Sequence, residues 1–191
     1  MSWLQDQLTS HFAQHVLNPK LWIMTAENLI SAAERLASDI EGFWKKLETL
    51  DDGSSLPVSE MDGSRYHNIF MMLYGFAIEN LCKGHAVTKL SRLDRLACKL
   101  GKLPGRLKTH NLESLVTTEV GLVLNDGERE LLKRLEAAVK WAGRYPVSTG
   151  PMDQKKQAIK EQLLAMPQGL RGDDLVRTRQ LAARIENEVR L

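Results

Sequence analysis

Only two of the 191 residues are cysteine, Cys82 and Cys98. Their spacing fits neither a disulfide framework nor a metal knuckle, so both read as buried thiols of a reducing compartment. No apolar run approaches the roughly 20 residues needed to cross a bilayer. The start, Met1-Ser2-Trp3-Leu4-Gln5-Asp6, lacks the basic n-region and continuous apolar stretch of a secretory signal. A cytoplasmic location without a membrane partner is therefore expected. There is no HExxH, no Walker-type glycine loop, no GxGxxG and no GxSxG, which removes most familiar cofactor enzymes and hydrolases. No cofactor and no metal are expected. His11 and His15 have the i, i+4 spacing that zinc ligands can use. Acids are sparse around them, so they read as ordinary surface or half-buried histidines.

What is present is apolar and charged in ordinary proportion, 43% and 26%. That suits one globular domain, large enough to bury a core without staples, with room for an appendage. The net charge of +2 hides an asymmetry. Residues 1–82 are net −6, whereas residues 83–110 carry eight Lys or Arg against Asp94 alone, net +7. Such a segment has two readings: a surface for an anionic partner, nucleic acid first among them, or a solvated face covering the acidic 1–82 segment.

The periodicity is helical almost throughout, with no convincing strand. After a short amphipathic stretch over 3–17, Asn18-Pro19 separates it from a long helix over 20–50. Its stripe runs Trp22, Ala26, Leu29, Ala33, Leu36, Ile40, Phe43, Leu47, Leu50. A loop over 51–63 precedes a central helix over 65–88, apolar on several faces and hence buried among others. In that helix Gly75 and Gly84 weaken the backbone but permit close packing. A short basic helix over 91–101 is expected to turn Leu93, Leu96, Ala97 and Leu100 inward. Thr109 is expected to cap a helix over 110–118. Asn125-Asp126-Gly127-Glu128 reads as a capping box for a helix over 126–142, with Leu131, Leu135, Ala138 and Trp141 inward. A linker over 144–152 leads to helices near 151–165 and 172–190. The last has a narrow seam, Leu175, Thr178, Ala182, Ile185, Val189, which needs either the bundle or another chain to cover it.

Two polar clusters interrupt this apolar pattern. In Ile78-Glu79-Asn80-Leu81-Cys82-Lys83-Gly84, the pair Glu79 and Lys83 has the favourable i, i+4 order. Asn80 is a poor helix-interior residue, and its place there implies a specific hydrogen bond, with a group near His110 or Asn111 as one candidate. In Lys108-Thr109-His110-Asn111-Leu112, a His and an Asn open a helix. Buried polar groups need partners, so the clusters either clamp two helices together or form a ligand site. Arg106 and His110 carry the chemistry for metal-independent RNA cleavage. An imidazole moves a proton at the 2′-hydroxyl or the leaving oxygen, and a guanidinium fork stabilises the phosphorane. Pro104-Gly105 nevertheless places Arg106 in a turn.

Ala77 to Gly84, then Lys108 to Leu112, then Trp141-Ala142-Gly143-Arg144-Tyr145-Pro146-Val147, resemble a HEPN-type helical domain in order, spacing and helix context, over roughly residues 20–147. The resemblance implies an all-α up-and-down helical bundle over residues 1–147, followed by a linker and C-terminal helical extension over 148–191. It also implies a homodimer. Many HEPN domains are metal-independent endoribonucleases of toxin–antitoxin, antiphage or RNA-processing systems. Some pair with a separate nucleotidyltransferase or antitoxin, and others only bind. Carried over residue by residue, the resemblance makes His110 and Arg106 catalytic, with Glu79, Asn80, Lys83, Asn111 and Arg144 contacting RNA or another nucleotide polyanion. One departure stands out: active members usually place four to six residues between Arg and His, and here there are three. The alternative is a non-catalytic interaction module whose polar cluster is structural.

Overall fold

The structure, a computed structural model, describes residues 2–50, 62–142 and 171–189. Among these the chain is all-α, a helical bundle without strands. No helix among them is long and apolar enough to cross a membrane. Arg144, Tyr145, Pro146, the linker, the expected 151–165 helix and the 147/148 boundary lie outside the described residues.

Helix α1 (Ser2–Val16) meets α2 (Pro19–Glu48) at Asn18, whose side chain accepts from the Lys20 N–H at 3.1 Å while Pro19 takes the first helical position. The seam of α2 buries Ala26, Ala33, Ala37, Ile40 and Phe43. Its small residues bring α3 (Asp62–Thr88) close, and the two pair antiparallel. Gly63, at the start of α3, lies against Phe43 near the end of α2, and Gly84 lies against Trp22 and Pro19 at its beginning. Helix α3 is the axis of the molecule, burying Phe70, Met71, Tyr74, Ala77, Ile78, Leu81 and Cys82 around its circumference. Gly75 permits its close approach to the helix over residues 126–142, since a Cβ there would sit 2.5 Å from Val139 Cγ2.

Helix α4 (Arg92–Lys99) departs from expectation. Ser91 caps it, but Leu93, Leu96 and Leu100 are 79%, 51% and 64% exposed, and Cys98 is the buried residue. Arg95 accounts for the orientation. Its guanidinium reaches back to the carbonyls of Val87, Thr88 and Leu90 at 3.1–3.2 Å. Those acceptors lie at and just beyond the end of α3, where carbonyls lack intrahelical partners. Satisfying them rotates α4 so that its arginine and cysteine side faces in and its leucine ridge faces out. Cys98 joins Val16, Ala86, Val87, Leu90 and Leu107 in a minor core.

The one-turn α5 (Gly105–Lys108) and an extended Thr109 lead to α6, which begins as Leu112–Ser114 and continues as a π-helical segment, Leu115–Val120. Asn111, not Thr109, caps α6, accepting from the Ser114 N–H at 2.8 Å. Gly121, at φ +90°, ends it in the left-handed region. Helix α7 (Asp126–Ala137, continuing as Ala138–Ala142) starts with the expected capping box, both arms of which are 2.9 Å long. Helix α8 (Asp174–Val189) buries Leu175, Thr178, Ala182, Ile185 and Val189, so the bundle itself covers the C-terminal seam.

Candidate functional site

The polar residues of α3 meet the 105–120 segment along one seam. Glu79 and Lys83 are both buried, and Lys83 Nζ donates to Glu79 Oε1 at 2.7 Å. A buried carboxylate needs more than one partner to offset its desolvation. His110 supplies the second, with Nδ1 3.0–3.1 Å from both Glu79 oxygens. A carboxylate accepts, so Nδ1 carries the proton and donates. Nε2 is left on the outer edge of a ring whose side chain is 57% exposed. Backbone geometry fixes the approach: extended Thr109 and the Asn111 cap project His110 towards α3.

Arg106 belongs to a second pair along the same seam. Its Nε donates to Glu119 Oε1 at 3.1 Å and its Nη2 to Oε2, a two-pronged match to a buried carboxylate. The paired Glu119 raises the guanidinium's affinity for its proton. Lys89 Nζ donates to the Glu119 carbonyl at 3.2 Å. His85 Nδ1 is buried without a partner among the described residues. Burial, then the charge of Lys89, holds this imidazole below its usual value, with Glu119 opposing. Burial and the charges of Glu119 and Glu79 together push the Cys82 thiol up, so it is no nucleophile.

The structure thus brings together Glu79, Lys83 and His110, and separates Arg106 from them. Arg106 and His110 share no helix face, because α5 ends between them and each turns to a different carboxylate. Asn80 does not reach His110 or Asn111. Its Nδ2 donates to the Phe76 carbonyl of its own helix at 2.7 Å, and it lines a cleft facing α1 and α2. Asn111 is spent as a cap. Glu119 and Lys89 were not among the candidate residues. The available signal for Glu119 was a lone acid in the apolar run Leu115-Val116-Thr117-Thr118-Glu119-Val120.

Among the described residues no group of three or more His, Cys, Asp or Glu side chains converges as a metal site. His11 and His15 stack at 4.0 Å, with His15 Nδ1 donating to the His11 carbonyl at 2.9 Å.

Comparisons with protein-family models, curated proteins and solved structures found no match to this chain.

A second histidine–carboxylate group lies deeper. Trp44 Nε1 donates to His67 Nδ1 at 3.2 Å, so the other nitrogen, Nε2, donates to Asp174 Oδ2, also at 3.2 Å. Arg134 Nη2 and the Arg171 N–H converge on the same oxygen. Burial alone would push the Asp174 carboxyl up, but His67, Arg134 and the Arg171 N–H outweigh it and hold it below the ordinary range. This group joins α2, α3, α7 and α8 and offers no atom to solvent on His67 or Asp174.

Proposed function

We propose that this chain is a HEPN-like RNA-binding domain that cleaves RNA without a metal, of the kind found in toxin–antitoxin and antiphage systems. One observation carries the reading: an exposed imidazole, His110, is oriented through Nδ1 by a buried carboxylate and, among the described residues, leaves Nε2 free. It stands at the end of the most basic segment of the chain. Nε2 takes the proton of a ribose 2′-hydroxyl, that oxygen bonds to phosphorus, and the 5′-oxygen leaves and is protonated by solvent. Glu79 is a positioning residue that stabilises the imidazolium as it forms. Lys83 donates to Glu79 Oε1 and so holds the carboxylate in place. Arg106 presents its outer edge to phosphate while Glu119 fixes its plane. This assigns Arg106 a different geometry from the shared-face pair expected of an Arg–His motif. The products are a 2′,3′-cyclic phosphate and a 5′-hydroxyl.

The test is cleavage of single-stranded RNA in the presence of a chelator. Wild-type protein is expected to cleave, and His110→Ala to lose at least about 100-fold in rate with an unchanged thermal melt. Equal cleavage by His110→Ala, or none by either protein, overturns the catalytic reading.

The non-catalytic alternative is favoured by the leucine ridge of α4, an exposed apolar face of the sort that marks protein contacts. With the α8 seam covered, a partner would meet α4 instead. Helix α4 lies within the basic 83–110 segment, so salt weakens both kinds of binding; Leu93→Ser with Leu96→Ser separates them, abolishing partner binding through the ridge and leaving RNA binding unchanged.

A further inference from the structure

A cleft of about 220 Å³ lies between the start of α2 and the middle of α3, lined by His15, Val16, Leu21, Trp22, Thr25 and Asn80. It is smaller than a pocket for a drug-sized ligand, and its scale suits one heteroaromatic base. Its polar side chains share a pattern. Thr25 Oγ1 donates to the Leu21 carbonyl at 2.8 Å, Asn80 Nδ2 to the Phe76 carbonyl at 2.7 Å, and His15 Nδ1 to the His11 carbonyl at 2.9 Å. Trp22 Nε1 is likewise spent on the Val16 carbonyl at 3.0 Å. Each of these polar side chains thus has a donor committed to the main chain. What remains is three acceptors, Thr25 Oγ1, Asn80 Oδ1 and His15 Nε2, against one donor, the second N–H of the Asn80 amide, beside an indole whose edge is pinned. The Asn80 orientation is not arbitrary, because a carbonyl can only accept, so the amide nitrogen must face Phe76 and the oxygen must face away.

We infer that this cleft is a nucleobase subsite selective for bases that carry an exocyclic amino group. An amino group brings two hydrogens to a set of acceptors, and the ring has the indole to stack on. Uracil presents O4 where cytosine presents its N4 amino group, so it turns an acceptor towards a lining in which acceptors outnumber donors three to one. No carboxylate lines the cleft, which offers no counter-charge to a cationic ligand. Glu79 and Asn80 are consecutive on α3, and successive side chains diverge by about 100° round a helix. A base in the cleft and a phosphate at His110 would thus be read by adjacent residues of one helix. The inference rests on the RNA-binding reading for that last connection, and on the cleft alone for the ligand class.

The experiment uses the full chain with labelled oligo(C) and oligo(U) decamers, followed by anisotropy, and with free cytidine and uridine, followed by the Trp22 indole N–H resonance. Oligo(C) is expected to bind roughly fivefold tighter than oligo(U), about the worth of one neutral hydrogen bond. Asn80→Leu and, independently, Thr25→Val should shrink that ratio towards one without weakening oligo(U). Cytidine should shift the Trp22 resonance and uridine should not. Equal binding of both decamers, with no cytidine shift, overturns the subsite and leaves RNA binding standing. A cytidine shift without decamer binding keeps the subsite and overturns the RNA reading. Neither signal overturns both.

Discussion

Two histidine–carboxylate–cation groups are built into this fold, and they differ in one respect that decides what each can do. At His67–Asp174–Arg134 both imidazole nitrogens are bonded, one to Trp44 and one to Asp174, and neither His67 nor Asp174 reaches solvent. At His110–Glu79–Lys83 the carboxylate and the ammonium are buried, but the imidazole is mostly exposed and only one nitrogen is spent. The same combination of imidazole, carboxylate and cation is closed in the first, where it joins four helices, and open in the second, where the imidazole is mostly exposed. A proton-transfer group needs an unoccupied nitrogen within reach of a substrate, and of these two histidines only His110 has one.

Removing the carboxylate of the closed group is the most disruptive way to probe this contrast. Asp174→Ala strands Arg134 and His67 in the interior and deletes the anchor at the start of α8. Breaking such a buried pair from one side costs about 3–5 kcal/mol, read as a lower urea midpoint. RNA cleavage by the fraction still folded should be unchanged. Loss of cleavage in the folded protein would mean that the two groups are not separate in function.

Glu79→Gln tests whether the open group is also structural. It leaves Lys83 buried without its anion but keeps an amide oxygen to accept from it, so a loss of about 2–3 kcal/mol is expected, smaller than for Asp174, whose removal leaves His67, Arg134 and the Arg171 N–H all without their acceptor. Cleavage should fall as well, because a neutral amide cannot stabilise the imidazolium. A variant as stable as wild type but inactive would confine Glu79 to chemistry.

How much of this was legible beforehand follows from the range of each interaction. The Asn18-Pro19 start and the Asn125–Glu128 box are local, formed by residues within three positions, and both were readable from the chain. The α8 seam was readable as a stripe, though its cover was not, since a stripe names no partner. The isolated polar residues Glu79 and His110 announced that they needed partners, and they found each other. By contrast, the α4 leucines follow a helical period that says which residues share a face but not which way it points. Arg95 and the carbonyls near the end of α3 settle that. His67 and Asp174 are 107 positions apart, and nothing near either residue signals the other. Asn80 was misplaced because its back-bond to Phe76 competes with any long-range contact.

Acid should separate the groups in order of pH. The folded-state value of His85 is depressed, mainly by burial, so its contribution is present above the unfolded value, near 6.5, and is lost as the pH falls through the folded value. The Asp174 carboxyl is also depressed. Its contribution is full above about pH 4 and is lost only as the pH falls further. The urea midpoint should therefore fall slightly between pH 7.5 and 5.5, a slope that His85→Gln removes, and then steeply below about pH 4, a loss that Asp174→Ala reduces, the remainder coming from Glu34 and Glu128, whose carboxyls are also held below the ordinary range.

The smallest expected effect bears most directly on the comparison. His110→Ala deletes a mostly exposed ring, leaves the Glu79–Lys83 pair intact and lets water take the place of Nδ1 as the second partner of Glu79, so stability should stay within about 0.5 kcal/mol of wild type. His67→Ala deletes a buried ring and leaves the Trp44 N–H and the Asp174 carboxylate each short of a partner, so it should cost about 2–4 kcal/mol. Measured side by side, one histidine should move the melt without changing the cleavage chemistry, and the other should do the reverse. If both variants melt low, the imidazole of His110 is a clamp, and its free nitrogen is incidental to a structural role.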